Sequence, residues 1–299
     1  MSFKLSKSKK MNGKNPIAYT TGCAKKDRQY LYLSDFKFTL KDCPADVLNK
    51  ISIKEQNILE NALSSGLEPE DEELTKIFYD CKEWIKKRNS KIILRDTKLK
   101  FEYLPSNKFI ERVLVSGISG SGKSTWSSHY IKNYLKQNKK NPFYVISNVA
   151  EDEVIDKLNP VRLEPYDVAT EGMTIDEVEN SIMLIDDVDT IENSSIRKAV
   201  RSFVNNMLEV SRHYKTNLII TSHHIQNYQQ TRTQLNESNI VVLFMKSNAR
   251  AIKNYLKSYE NFTEDQINRF LNLNSRWGML FKGFDYPPFV LYERGAYIL

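Results

Sequence analysis

No run in the 299 residues approaches the roughly 18 apolar residues that a membrane span needs. The opening segment, Met1 to Lys10, holds four lysines and lacks the apolar core of a signal peptide. A chain without a membrane span, in a cytosol-like compartment, is therefore expected. Cysteine is scarce: Cys23, Cys43 and Cys81 are too few and too widely spaced for a disulfide framework or a zinc site, and read as reduced packing residues. No Asn-Lys-x-Asp motif for reading guanine is present, which argues against a GTP switch, and no internal repeat is visible.

What is present is a moderate basic excess, with a net charge of +7 and a pI near 9.0. Such a balance is compatible with a polyanionic partner, because lysines and arginines along a groove release counterions from nucleic acid, but a lysine excess is also common in ordinary soluble proteins. The basic residues are concentrated at the start. Residues 1–28 carry Lys4, Lys7, Lys9, Lys10, Lys14, Lys25, Lys26 and Arg28 against the single acid Asp27, and read as a flexible basic arm. Residues 29–105 read as a mainly helical accessory region: a short strand at Tyr30–Leu33, an amphipathic helix over Ala45–Leu63, and a helix running from the acidic stretch Glu68–Glu73 to the basic cluster Lys86–Arg88.

From 106 to 299 strand and helix signals alternate, the pattern of an α/β domain with a mainly parallel sheet flanked by helices. Core strands are expected at Arg112–Ser116, Pro142–Ile146, Ser181–Ile185, Asn217–Thr221 and Asn239–Phe244, with helices at about 123–137, 193–213 and 248–257. Gly278–Lys282 and Phe289–Tyr292 read as a hairpin around the turn Asp285–Pro288.

One segment carries specific chemistry. Gly117, Ile118, Ser119, Gly120, Ser121, Gly122, Lys123 and Ser124 follow an apolar strand and precede a helix, the context in which Gly-x-x-x-x-Gly-Lys-Ser is a phosphate-binding loop. Backbone N–H groups of such a loop close around the phosphates of ATP and the helix N-terminus adds positive potential. Lys123 is expected to reach the β- and γ-phosphates, and Ser124, with Thr125 beside it, to ligate Mg²⁺.

A second motif, Ser181–Asp187, is an apolar strand ending in two carboxylates. Asp186 is expected to hold Mg²⁺ through water and Asp187 to polarise the attacking water as general base; an Asp pair capping the next helix is the structural alternative. About 60 residues separate the two motifs, room for an additional strand and thus a pointer to the RecA-like class. A third element, Arg212 to His223, leads through a further strand to Thr221, Ser222 and His223, any of which could sense the γ-phosphate. A nucleotide kinase should carry an arginine-rich lid after the loop helix, whereas Asn148–Asn180 is acidic.

Taken in this order, Gly117–Ser124, Leu184–Val188 and Ser211–Ile220 resemble the FtsK/HerA superfamily of DNA translocases, and within it the genome-packaging ATPases of poxviruses and other large DNA viruses. The resemblance covers about residues 110–250. It implies a RecA-like motor that assembles as a homo-oligomeric ring, uses ATP and Mg²⁺ to drive double-stranded DNA into a capsid, touches capsid proteins, and works in the host cytoplasm or a viral factory. It also implies an arginine finger acting on the neighbouring subunit, with Arg212 at the matching position. Where His223 stands, the family commonly has glutamine. Arg212 could instead be a helix-terminal cation. Arg201, Arg232 and Arg250 are its rivals, and the stripe Lys246, Lys253 and Lys257 beside Arg250 is either a solvated face or a DNA-tracking surface.

Overall fold

Strands buried on both faces of a sheet read as continuous apolar runs with no polar alternation, and the five core runs do form such strands. The computed structural model describes residues 1–11, 14–34, 39–225, 231–245, 249–283 and 286–299. In chain order the strands are β1 (Ser2–Ser6), β2 (Ala18–Thr21), β3 (Tyr30–Ser34), β4 (Lys91–Ile93), β5 (Lys100–Tyr103), β6 (Arg112–Ser116), β7 (Phe143–Ser147), β8 (Val161–Leu163), β9 (Ile182–Asp186), β10 (Asn217–Ser222), β11 (Ile240–Phe244), β12 (Trp277–Phe281), β13 (Phe289–Tyr292) and β14 (Gly295–Ile298). The helices are α1 (Ala45–Leu48), α2 (Ile53–Ser65), α3 (Glu72–Asn89), α4 (Lys123–Gln137), α5 (Pro165–Thr170), α6 (Ser194–Val210), α7 (Arg232–Glu237), α8 (Ala249–Ser258) and α9 (Glu264–Leu271).

Ten strands form one sheet in the order β4-β14-β13-β12-β11-β6-β10-β9-β7-β8. Pairing is parallel from β11 to β8 and antiparallel from β4 to β11. The loop strand β6 is thus separated from the carboxylate strand β9 by β10, while the interval between the two motifs, in which room for an additional strand was expected, supplies β7 and β8 beyond β9. One face of the sheet packs on α4 through Trp126, Tyr130 and Ile131. The other packs on α6, α8 and α9 through Val204, Met207, Leu208, Tyr255, Leu256 and Ile267.

Residues 1–28 differ from the flexible arm expected of them. They carry β1 and β2, which join β3 and β5 in a four-stranded antiparallel sheet of order β1-β3-β2-β5. Phe3, Ile17, Leu31 and Phe101 from these segments belong to the same core cluster as Val113 and Trp126, so apolar contacts to the large sheet hold them despite their lysines. The expected helix over Ala45–Leu63 is broken into α1 and α2, because Ser52 caps α2: its side chain accepts from the Glu55 N–H while Glu55 returns a bond to the Ser52 N–H. Between them, α2 and α3 bury a small cluster of their own around Leu59, Phe78, Cys81 and Ile85. The expected hairpin is present as β12 and β13 and continues through β14 to β4; Asp285 of its turn lies outside the described residues, as does Lys246.

Candidate functional site

The loop between β6 and α4 sits at the C-terminal end of the parallel strands. The Gly117 N–H donates to the Ser222 carbonyl at 3.1 Å, so the ladder of β6 and β10 continues one step into the loop. A side chain at Gly117 would bring a Cβ to 2.9 Å from the Cβ of Phe244. Gly122 has φ +109°, a conformation L side chains rarely adopt, and from it the chain turns directly into α4. The first amides of α4 therefore face the loop with no preceding turn to accept from them.

Lys123, the first residue of α4, is buried and its ammonium is fixed by the loop itself, donating to the Gly117 carbonyl at 3.0 Å. The same Nζ lies 3.5 Å from Asp187 Oδ2 and 3.3 Å from His223 Nδ1. His223 Nε2 in turn lies 2.9 Å from Asp187 Oδ2. Three groups widely separated in sequence thus meet at the ends of β6, β9 and β10.

The adjacent carboxylates of Asp186 and Asp187 would point to opposite faces of an ordinary strand. Asp187 breaks that alternation with φ 42° and ψ 52°, a left-handed conformation that costs a non-glycine residue of the order of 1 kcal/mol. Thr221 ties the pair together. Its Oγ1 lies 2.6 Å from Asp186 Oδ1 and 3.2 Å from Asp187 Oδ1, and accepts from the Asp187 N–H at 3.0 Å. Ser147, opposite Asp186 on β7, lies 3.4 Å from Asp186 Oδ2. Burial raises the Asp186 carboxyl above its ordinary value, and the neighbouring charge of Asp187 adds to this, against the hydrogen bond from Thr221 and the charge of Lys123, which lower it.

These groups open on a cleft of about 710 Å³ lined by residues of the loop, Ser124, Thr125, Asp186, Asp187 and His223, with Asp152 and Glu153 from the acidic segment at its side. The donor set fits a nucleoside triphosphate with a hard divalent cation: loop amides and a buried ammonium for phosphate oxygens, a hydroxyl and a carboxylate for the metal. Among the described residues no group of three or more His, Cys, Asp or Glu forms a metal cage; Mg²⁺ is commonly held by one or two protein oxygens together with phosphate and water.

Of the residues singled out in the sequence, Gly117–Thr125, Asp186, Asp187 and His223 are brought together; Arg212 is not. It is exposed in the turn after α6, before β10 begins, whereas the loop faces the far end of that strand. Six residues of strand, roughly 20 Å, lie between them. Among the rivals, Arg201 is bound to Asp189 at 2.6 Å, while Arg232 and Arg250 are exposed. Lys253 and Lys257 both pair with Glu264, at 2.8 and 3.6 Å, which partly neutralises the expected basic stripe. Ser147 and the bridging position of Thr221 were not legible, since only the register of β7, β9 and β10 creates them.

Sheet order, loop and carboxylate pair together define a P-loop nucleoside triphosphatase of the RecA-like class. No family model matches the chain. The chain belongs to the family of the uncharacterized protein V3 of Sputnik virophage, with which it is 36% identical over 199 residues, 66% of this chain and 80% of the relative. Among solved structures, the genome packaging NTPase B204 of Sulfolobus turreted icosahedral virus 2 aligns with 62% of this chain and 96% of its own at 11% identity and a TM-score of 0.42. The pCW3 conjugation coupling protein TcpA, in its monomer form with ATPγS, aligns with 70% of this chain and 66% of its own at 13% identity and a TM-score of 0.42. The nucleotide chemistry of this chain rests on its own loop and carboxylates.

Proposed function

We propose that the chain is an ATP-hydrolysing, Mg²⁺-dependent translocase of double-stranded DNA that packages a viral genome into its capsid. The observation that carries this reading is the meeting of Lys123, Asp187 and His223 at the mouth of the cleft, within 3.5 Å of one another. No packing need explains such a meeting. In this reading Lys123 leaves Asp187 for the γ-phosphate, and the released Asp187 carboxylate accepts a proton from the attacking water. Asp186 and Ser124 would hold the cation, which when bound would supply positive charge to offset that on the phosphate oxygens. His223 reports whether the γ-phosphate is present.

Arg212 lies too far from the cleft of its own chain to act there, so its role as a finger requires the nucleotide of a neighbouring copy, which is the reason for including a homo-oligomeric ring. DNA contact is supported by two adjoining clefts that share Asn107. One, of about 330 Å³, is lined by Lys9, Lys10, Arg28 and Lys136; the other, of about 610 Å³, by Lys108 and Lys215 beside the proposed finger. Among the described residues no acid lines either cleft. Donors of this kind suit backbone phosphates and carry no base readout, as a machine moving along any sequence requires. The motif order resembling FtsK/HerA ATPases supports the motor, and a virophage relative suits a viral setting with capsid proteins as partners, in the host cytoplasm or a viral factory. A nucleotide kinase is the weaker reading, for want of an arginine-rich lid. The test is whether duplex DNA raises ATP turnover by the purified chain; turnover indifferent to DNA would leave an ATPase without the proposed motor function.

A further inference from the structure

At the opposite margin of the large sheet a further polar cleft, of about 450 Å³, lies between β4, β13, β14 and the end of α9. Four strand positions separate β14 from β6, roughly 19 Å, so this cleft is no extension of the loop site. Its charged lining is Lys91, Arg269 and Arg294, its amides Asn272 and Asn274, and among the described residues no acid takes part. The neighbouring carboxylate of Glu293, in the two-residue turn between β13 and β14, is taken up instead by Lys100 and Arg276, each at 3.1 Å. None of the three cations has a carboxylate partner among the described residues.

Two further atoms await a partner. The Tyr297 hydroxyl and the Arg294 Nε are buried without a hydrogen bond among the described residues, and Tyr297 is only 1% exposed. Buried polar atoms in folded proteins almost always find partners, and those that do not call for an absent water, ion or ligand. Arg269 is held in place by its contact with the Tyr297 ring, 3.8 Å from the centroid, which leaves the edges of its guanidinium as donors.

We propose that this cleft binds a phosphate group, as a diphosphate or a terminal monoester, at a site separate from the nucleotide loop. Three cations with two amides and a phenol exceed what one carboxylate can use, since a carboxylate has one charge and two oxygens. A phosphate dianion or pyrophosphate offers more of both, and planar guanidinium forks match its oxygens in pairs. The ligand could be a free nucleotide or the phosphorylated end of a nucleic acid, which share this chemistry.

The test is calorimetric titration of the full-length protein with pyrophosphate. Wild type is expected to bind two equivalents; Lys123→Ala, which empties the loop site, and Arg269→Gln, which empties this one, are each expected to bind one. Arg294→Gln is the alternative to Arg269→Gln should the latter misfold. Tyr297→Phe separates the proposal from a merely structural tyrosine: affinity at the second site should drop about tenfold, whereas an idle hydroxyl would leave it unchanged. Competition by ADP, or by a 5′-phosphorylated but not an unphosphorylated duplex, identifies the source. A single equivalent in wild type that Lys123→Ala abolishes overturns the proposal. So does a second equivalent indifferent to Arg269 and Arg294, or a cleft that takes a glutamate-rich peptide and refuses pyrophosphate. The Lys123→Ala arm reads this cleft without the loop, so its failure is distinct from any failure of the ATPase reading.

Discussion

His223 Nε2 lies 2.9 Å from Asp187 Oδ2, which places an imidazole from the end of β10 on the carboxylate proposed as general base. The contact orients Asp187, and the other ring nitrogen faces the Lys123 ammonium at 3.3 Å. Removing the imidazole in His223→Ala is expected to lower kcat by about 10- to 100-fold with a smaller change in KM, because in the proposed mechanism the group acts on the base and on γ-phosphate sensing. His223→Gln, which restores a polar group of similar reach, should recover part of the loss. A steady-state comparison in which His223→Ala turns over like wild type would remove His223 from the site.

Asp187→Asn keeps the shape and the hydrogen bond from its own N–H to Thr221 but cannot accept a proton. Nucleotide binding is expected to persist and hydrolysis to fall by at least about 100-fold. Fluorescent-nucleotide binding beside a phosphate-release assay separates the two. Parental turnover in Asp187→Asn would reassign the base.

Arg212 stands at the end of β10 opposite to the loop and is exposed, so the proposed finger role requires the nucleotide of a neighbouring subunit. Arg212→Ala and Lys123→Ala should each be inactive alone and regain part of their turnover when mixed, since one contributes an intact finger and the other an intact loop. Fingers elsewhere are worth on the order of 10³ in turnover. No recovery in the mixture, with assembly intact, would return Arg212 to the role of a helix-terminal cation.

Glu111 is fully buried beneath α4, accepting from Tyr103 at 2.6 Å, Tyr130 at 2.5 Å and the Ser106 N–H at 2.9 Å. Burial raises its carboxyl to about 7, against the three hydrogen bonds that lower it. A folded value above the unfolded one means that its contribution to stability is present in full below the ordinary glutamate range and declines as pH rises through about 7. Glu111→Gln should therefore reduce the fall in unfolding free energy between about pH 5 and pH 8 by on the order of 2 kcal/mol, measured by urea denaturation at both values. An unchanged pH dependence would show that Glu111 titrates at its ordinary position in the fold.

Much of the P-loop domain was legible because its signals are local. The run Arg112–Ser116 is apolar throughout, the glycines and lysine follow at fixed spacing, and both β6 and α4 start where the sequence places them. The break at Ser52 was also written locally, as a Ser-x-x-Glu capping box, but the continuing apolar period masked it. What stayed hidden depends on distant pairing. Phe3 and Leu5 make a strand only opposite Leu33 and Leu31, among lysines that read as an arm. Likewise, the approach of His223 to Asp187 depends on β10 lying between β6 and β9, which no short stretch of sequence specifies.

The measurement that tests the motor most directly is ATP turnover with and without long duplex DNA, followed across a salt series with binding recorded in parallel. Turnover should rise severalfold with DNA of any sequence, and the affinity should fall with salt at a log–log slope of about −0.9 per phosphate neutralised. Replacing Lys9, Lys10 and Lys136 together should flatten that slope by about 3 and weaken the stimulation, whereas replacing Lys253 and Lys257, already paired with Glu264, should change the slope little. Turnover that duplex DNA never alters, or DNA binding that is independent of salt, would contradict the account.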